Sequence, residues 1–140
     1  MLKAAAVFAA ILASTPAFAW TIEAECQGGR GGRFRSARLT SAGEVWWSRS
    51  RTDALAKVAT VPADKAAAFS ARLDAAGFEG LRTRPSTRRV KDGVNCKIRR
   101  VGARTHEVRF MAAAGRERNA RESAAADVMH DILALGTSGE

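Results

Sequence analysis

Histidine, the most frequent general base in enzymes, occurs only twice in this chain, as His106 and His130. Asp127 precedes His130 by three residues, and on a helix this spacing puts both side chains on one surface, as in half of a catalytic dyad. No G-x-S-x-G motif supplies a nucleophile. The glycines of segment 28–32 lack the Lys-Ser or Lys-Thr that follows in a P-loop. We therefore expect His130 and Asp127 to be ordinary surface residues and the protein not to be an enzyme.

The chain has two cysteines, Cys26 and Cys96. A redox pair would normally have C-x-x-C spacing, and a structural zinc site needs four nitrogen or sulfur ligands, which this chain cannot assemble at zinc-like spacing. In an exported protein, two such thiols normally form a disulfide. We therefore expect a Cys26–Cys96 bond that closes a loop of about 70 residues, and we expect neither a metal nor another cofactor.

The first nineteen residues indicate export. Lys3 gives a positive start, residues 4–14 are apolar, and Pro16 precedes the small-residue pattern at 17–19, which together are typical of a secretory signal peptide. The apolar stretch is too short for a permanent membrane span. We expect the mature protein to begin at or near Trp20, to be soluble, and to work in the periplasm or outside the cell.

The mature chain is strongly basic. Removal of residues 1–19 costs one charged residue, Lys3, which leaves 22 Lys and Arg against 14 Asp and Glu and a formal charge of +8. Such a charge favours nucleic acid, lipid headgroups, acidic glycans or acidic protein surfaces as partners. The alternative is that scattered positive charge only keeps a small exported protein soluble.

Adjacent tryptophans, Trp46 and Trp47, are the clearest aromatic candidates for binding. Neighbouring residues of a strand point to opposite faces, so only one of the two enters the core easily. The other, next to Arg49 and Arg51, could anchor a protein, a glycan or a single-stranded nucleic acid. Alternatively, it packs beneath a helix or a loop.

Two further segments could bind a partner. The exposed basic loop at 82–93 could meet an acidic surface, and the glycine-rich turn at 28–32 could approach a partner's backbone closely. Each could equally be an ordinary connection. The candidate binding residues of these features and of the tryptophan pair are Gly28, Gly29, Arg30, Arg33, Trp46, Trp47, Arg49, Arg51, Arg82, Arg84, Arg88, Arg89 and Lys91.

The elements that position these residues can be predicted from apolar periodicity and turn residues. An antiparallel meander is predicted from strands at 21–26, 33–40, 44–50 and 54–60. The inward parity of the second strand is open, because Phe34 and Leu39 lie on opposite faces unless a bulge intervenes. Pro62 and an apolar repeat predict a helix over 62–76 that ends at Gly77.

The last part of the domain is predicted as a hairpin and a helix. Alternation places Val94, Cys96 and Ile98 on one face and His106, Val108 and Phe110 on the facing strand. A three-residue loop at 102–104 sets Cys96 opposite Phe110, whereas a two-residue loop would break this parity. The final helix starts at Asn119 as its cap and ends at Gly136, before a flexible tail at 137–140.

The order of these elements resembles that of emfourin, a small protein inhibitor of thermolysin-like metallopeptidases, and of its exported relatives. The turn QGGRGG at 27–32 is similar to the family's Ser-Gly-Gly-Phe-Ala-Gly turn: Gly28 and Gly29 match, and Arg30 replaces the aromatic residue. The resemblance implies a non-catalytic protein that blocks a protease cleft without a cofactor.

Taken together, the sequence predicts one α+β domain over 20–136, with an antiparallel sheet of four to six strands, two helices packed on it and one disulfide. The expected role is that of an exported, non-enzymatic binding protein, with peptidase inhibition as the specific form that the resemblance implies. The alternative is a basic envelope protein that binds an anionic polymer, namely nucleic acid, lipid headgroups or an acidic glycan.

Overall fold

One antiparallel sheet of six strands organises the chain in a computed structural model that describes residues 19–84, 93–111 and 118–139. The strands are β1 (Thr21–Gly28), β2 (Arg33–Thr40), β3 (Glu44–Ser48), β4 (Ala56–Thr60), β5 (Val94–Val101) and β6 (Thr105–Phe110). Their order in the sheet is β4-β3-β2-β1-β5-β6, and all neighbours are antiparallel. β1 therefore lies in the interior of the sheet, between β2 and β5.

Two helices complete the fold: α1 (Ala63–Ala75), which leads into a short 3-10 turn (Phe78–Gly80), and α2 (Ala120–Ser138). Pro62 stands at the start of α1, and Gly77, with φ of 67°, takes the left-handed conformation that ends it. Asn119 caps α2 through a capping box with Glu122. The predicted α+β class is confirmed. Within the described residues, no helix is long and apolar enough to span a membrane.

The core lies between the helices and one face of the sheet, which we call the helix side. Along β1, Ile22, Ala24 and Cys26 are buried, whereas the alternating Glu23 and Glu25 are only half-buried. The largest fully buried side chains that complete this core are Leu39, Val45, Leu73, Phe78, Ile98, Val108, Val128, Met129 and Ile132. We call the opposite surface of the sheet the open face.

The predicted hairpin register and the disulfide are confirmed. Residues 102–104 form the three-residue loop, and Cys96 pairs with Phe110 across β5 and β6. β5 also pairs with β1 on its other side, and there Cys96 lies directly opposite Cys26. The two cysteines form a disulfide across a Cα to Cα distance of 4.1 Å. The bond therefore joins the first strand of the domain to a strand that follows 70 residues later.

Some element bounds differ from the predictions, and the structure settles the inward parity of the second strand, which the sequence left open. Strands β3 and β4 are shorter than the predicted 44–50 and 54–60, because residues 49–55 form the connection between them. Phe34 and Leu39 lie on opposite faces of a regular β2, which needs no bulge against β1. Gly136 does not end α2, which continues to Ser138, so residues 137 and 138 are helical rather than part of a flexible tail.

Gly136 has a packing role instead. It lies inside α2 and is buried, and a Cβ atom added there would overlap the ring of Trp47 on β3. Glycine at this position lets the helix backbone come close to the tryptophan ring. The contact fixes where the last turns of α2 rest on the sheet.

Candidate functional site

Two connections lie at the same end of the sheet and carry a concentration of arginine. Residues 29–32 join β1 to β2, and residues 49–55 join β3 to β4; because β3 runs antiparallel to β2, both connections fall at the end where β2 begins. We call this region the basic end and define it by its arginines: Arg30, Arg33, Arg35, Arg49 and Arg51. All five are exposed. Asp53 is the one carboxylate in the two connections.

The β1–β2 connection owes its shape to glycine. Gly28, Gly29, Gly31 and Gly32 have φ values of 119°, 80°, 85° and 62°, a region of backbone space that other residues seldom occupy. The N–H of Gly32 donates to the carbonyl of Gly29 across 3.1 Å and closes the turn. A Cβ atom at Gly28 would overlap the carbonyl oxygen of Gly93 on the neighbouring segment. This tight reversal presents Arg30 to solvent.

The charges of the basic end differ from those of the open face. On the open face, basic and acidic side chains alternate across the strands at ion-pair distance: Arg38 to Glu23 (3.5 Å), Arg99 to Glu23 (3.7 Å), Lys97 to Glu25 (3.4 Å), Lys57 to Glu44 (3.4 Å) and Arg109 to Glu107 (3.0 Å). Arg30, Arg33 and Arg35 take part in none of the ion pairs among the described residues. The positive charge of these three arginines is therefore available to a partner.

The two tryptophans lie on opposite faces of the sheet, as expected for neighbouring residues of one strand. Trp47 is 5% exposed and lies in the core against Gly136, so it is a packing residue and not part of a free binding surface. Trp46 lies half-buried on the open face, in register with Arg38 and Lys57. The aromatic ring at the basic end belongs to Phe34, with the Arg51 guanidinium 5.7 Å from its centre. This contact joins the 49–55 connection to the start of β2.

Of the arginines in the predicted basic loop, the structure describes Arg82 and Arg84. Arg82 donates to the carbonyl oxygens of Glu79 and Leu81, and Arg84 pairs with Glu122 at the start of α2. Arg82 therefore bonds to the segment around the 3-10 turn, and Arg84 bonds to α2. Arg88, Arg89 and Lys91 lie outside the described residues.

The two histidines occupy structural and surface positions. His106 Nε2 donates to the carbonyl oxygen of Leu81 across 2.8 Å, and the imidazole meets the Phe78 ring edge-on at 5.0 Å. His130 and Asp127 are both exposed on α2. In the described part of the chain, no three His, Cys, Asp or Glu side chains gather closely enough to hold a metal ion.

A cluster of charged side chains ties β5 to α1 and the 3-10 turn. Arg100, whose side chain is 12% exposed, contacts Asp74 at 2.8 Å and Glu79 at 3.0 Å, and it also donates to Ser70. Burial alone would lower the pKa of Arg100, but the hydrogen bonds that it donates to Glu79 and Asp74, together with the negative charge of these carboxylates, outweigh burial and hold that pKa above its ordinary value. Since all its partners belong to the fold, this cluster is structural.

A pocket on the helix side of the basic end was not predicted as a site. It has a volume of about 450 Å³ and is lined by Cys26, Gly28, Gly29, Arg30, Arg33, Arg35 and Val94. Arg35 and Val94 were missing from the predicted binding residues. Arg35 could have been found from its spacing of two residues from Arg33, which puts both side chains on one face of a strand. Val94 could not, because it reaches the pocket only through the register of β5 against β1.

No protein-family model matches this sequence, and no curated protein matches it either. Function has therefore to be inferred from the geometry of the site.

Proposed function

We propose that this chain is an exported, non-enzymatic binding protein that recognises an anionic partner through the basic end of its sheet. The observation that carries the proposal is the contrast in charge pairing. Arg30, Arg33 and Arg35 are exposed and make no ion pair in the described part of the chain, whereas the open face pairs its basic residues with glutamates.

The arrangement suits binding because it places three guanidinium groups beside one pocket. Arg30 is held on a glycine turn, and Arg33 and Arg35 project from the helix side at the start of β2. Guanidinium groups bind phosphate, sulfate and carboxylate through paired N–H donors. Positions fixed by a sheet lose less side-chain freedom on binding than those of a mobile loop.

Export is supported by two features. The Cys26–Cys96 bond is of the kind that persists in oxidising compartments. The charge and apolar pattern of residues 1–19 matches that of a cleaved secretory signal. We therefore propose that the protein acts in the periplasm or outside the cell.

Peptidase inhibition is the second candidate function, and the exposure of the β1–β2 turn favours it. Arg30, Gly31 and Gly32 are exposed, and there would be no atom within 4 Å of a Cβ at either glycine. A slender turn of this kind could enter a protease cleft, as the resemblance to emfourin implies. In that case the target would be an acidic or metal-containing cleft, and binding would abolish peptide hydrolysis.

The test compares two triple variants of equal charge. One replaces Arg30, Arg33 and Arg35 by glutamine. The control replaces Lys65, Arg104 and Arg121 by glutamine. These residues are also exposed but lie outside the basic end. Affinity for single-stranded DNA, a sulfated polysaccharide and vesicles rich in phosphatidylglycerol is measured as salt is raised.

The first triple variant is expected to lose affinity for the probe that binds, and for single-stranded DNA the slope of log affinity against log salt should fall by about 2. The control should keep the wild-type slope. Equal losses in both variants would mean that net charge alone drives binding, and the proposed site would be wrong. The second candidate would be favoured if the wild type inhibits a thermolysin-like peptidase and the first triple variant does not.

A further inference from the structure

We propose that the pocket at the basic end binds an organic phosphate, namely a phosphate monoester whose ester group is apolar. This inference rests on the proposed function, because it takes recognition of an anion at the basic end as given. It adds the position of the site and the chemical class of the ligand.

The pocket follows from the register of three strands. On the helix side, Arg33 of β2 lies opposite Gly28 of β1, and Gly28 lies opposite Val94 of β5. In the next row, Arg35 lies opposite Cys26. The pocket is a gap between the arginine on one side of Gly28 and the valine on the other. The missing side chain of Gly28 does not create this gap, because the carbonyl oxygen of Gly93 fills the space where a Cβ atom of Gly28 would lie.

One wall of the gap is cationic. Arg33 and Arg35 are two residues apart on β2, so their side chains rise from the same face, and Arg30 reaches the pocket from the turn. None of the three has an ion-pair partner among the described residues. Three guanidinium groups match the doubly charged phosphate of a monoester better than a singly charged carboxylate.

The opposite wall is apolar. Val94 is 43% exposed and is the one large hydrophobic side chain of the described residues that is left so exposed. Beside it, the disulfide forms the end of the pocket through Cys26. Contact between an apolar side chain and water is unfavourable. A ligand with an apolar group would cover the Val94 side chain and remove that contact.

The dimensions suit a ligand larger than inorganic phosphate. Val94 and Arg33 stand two strand spacings apart, which is roughly 10 Å. A phosphate held by the arginines would leave the valine in water, whereas an attached ring or short chain would span the gap and cover it. The volume of about 450 Å³ is sufficient for such a molecule.

The test measures binding of phenyl phosphate, inorganic phosphate and phenylacetate to the mature, oxidised protein by calorimetry, at a pH where both phosphates are dianions. Phenyl phosphate is expected to bind roughly tenfold more tightly than inorganic phosphate, because only it covers Val94. It should also bind more tightly than phenylacetate, which carries one charge.

Variants separate the two walls. Val94→Ser should abolish the preference for phenyl phosphate over inorganic phosphate, whereas Val94→Ile should keep it. Arg35→Gln should weaken both phosphates, and Arg104→Gln, an exposed arginine at the other end of the sheet, should weaken neither. Because Val94, Arg35 and Arg104 are exposed, these changes leave the core intact.

Equal binding of the two phosphates by the wild type, or a preference that survives Val94→Ser, would overturn the proposal. A protein that binds anionic polymers through the basic end but shows no preference for phenyl phosphate would contradict the pocket alone. If the wild type binds none of the anions, the proposed function would be contradicted as well. Dihexanoyl phosphatidic acid, used below its micellar concentration, tests whether the natural phosphate is a lipid. If it is, this probe should bind more tightly than phenyl phosphate, because its acyl chains add affinity.

Discussion

Replacing both Cys26 and Cys96 by alanine is expected to lower the free energy of unfolding by about 4 kcal/mol. The bond joins residues 70 positions apart, so its loss frees a long loop in the unfolded chain. In the folded protein the change is small, because both positions are buried on adjacent strands whose backbone pairing remains. For a domain of this size, such a loss is a large share of the net stability.

Urea unfolding of the oxidised wild type, the reduced wild type and the double variant measures this effect. The two forms without the bond should unfold at similar, lower urea concentrations. They should also show a larger dependence on urea, since a chain without the crosslink exposes more surface on unfolding. A loss below about 1 kcal/mol would mean that the crosslink contributes little to the fold.

Replacing Trp47 by alanine is expected to cost about 4 kcal/mol, whereas Trp46→Ala should cost far less. The two residues are neighbours of the same type and make a matched pair. Trp47 is buried in the core beneath α2, and its loss leaves a cavity that the helix cannot fill without moving. Trp46 lies half-buried on the open face among charged neighbours, so water can occupy its place.

Chemical unfolding of the two single variants gives the comparison, and Gly136→Ala supplies an independent check on the same contact. Alone, this substitution should destabilise the protein, because its Cβ overlaps the Trp47 ring. In the Trp47→Ala background the overlap is gone, and the added methyl should be neutral or stabilising, as alanine usually is in a helix. Equal costs for Trp46→Ala and Trp47→Ala would contradict the assigned faces.

Local rules were sufficient to predict most of the fold. Strict alternation in the segment 21–26 identified the inward residues, and the requirement that facing residues share a side fixed the three-residue loop at 102–104. Asn119 and Glu122 predicted the start of α2, because their types and spacing are those of a capping box. These signals depend on residues close in sequence, which is why they could be interpreted without a structure.

Features that depend on distant contacts could not be predicted in this way. Gly136 looked like a helix terminator, because a terminal glycine and a glycine packed against a ring look alike in sequence. Which tryptophan is buried depends on where α2 crosses the sheet. The pocket needs the register of β2, β1 and β5 together, so Val94 could not be linked to Arg33 from the sequence.

The central claim, that the basic end is the recognition surface, can be tested most directly by backbone amide NMR of the isotope-labelled mature protein. The titrant is whichever anionic probe binds in the salt series. We expect the largest shift changes in segments 28–35 and 49–51, with little change in α1 or in the loop at 102–104. Changes centred on α1 and that loop, with segment 28–35 unaffected, would contradict the claim.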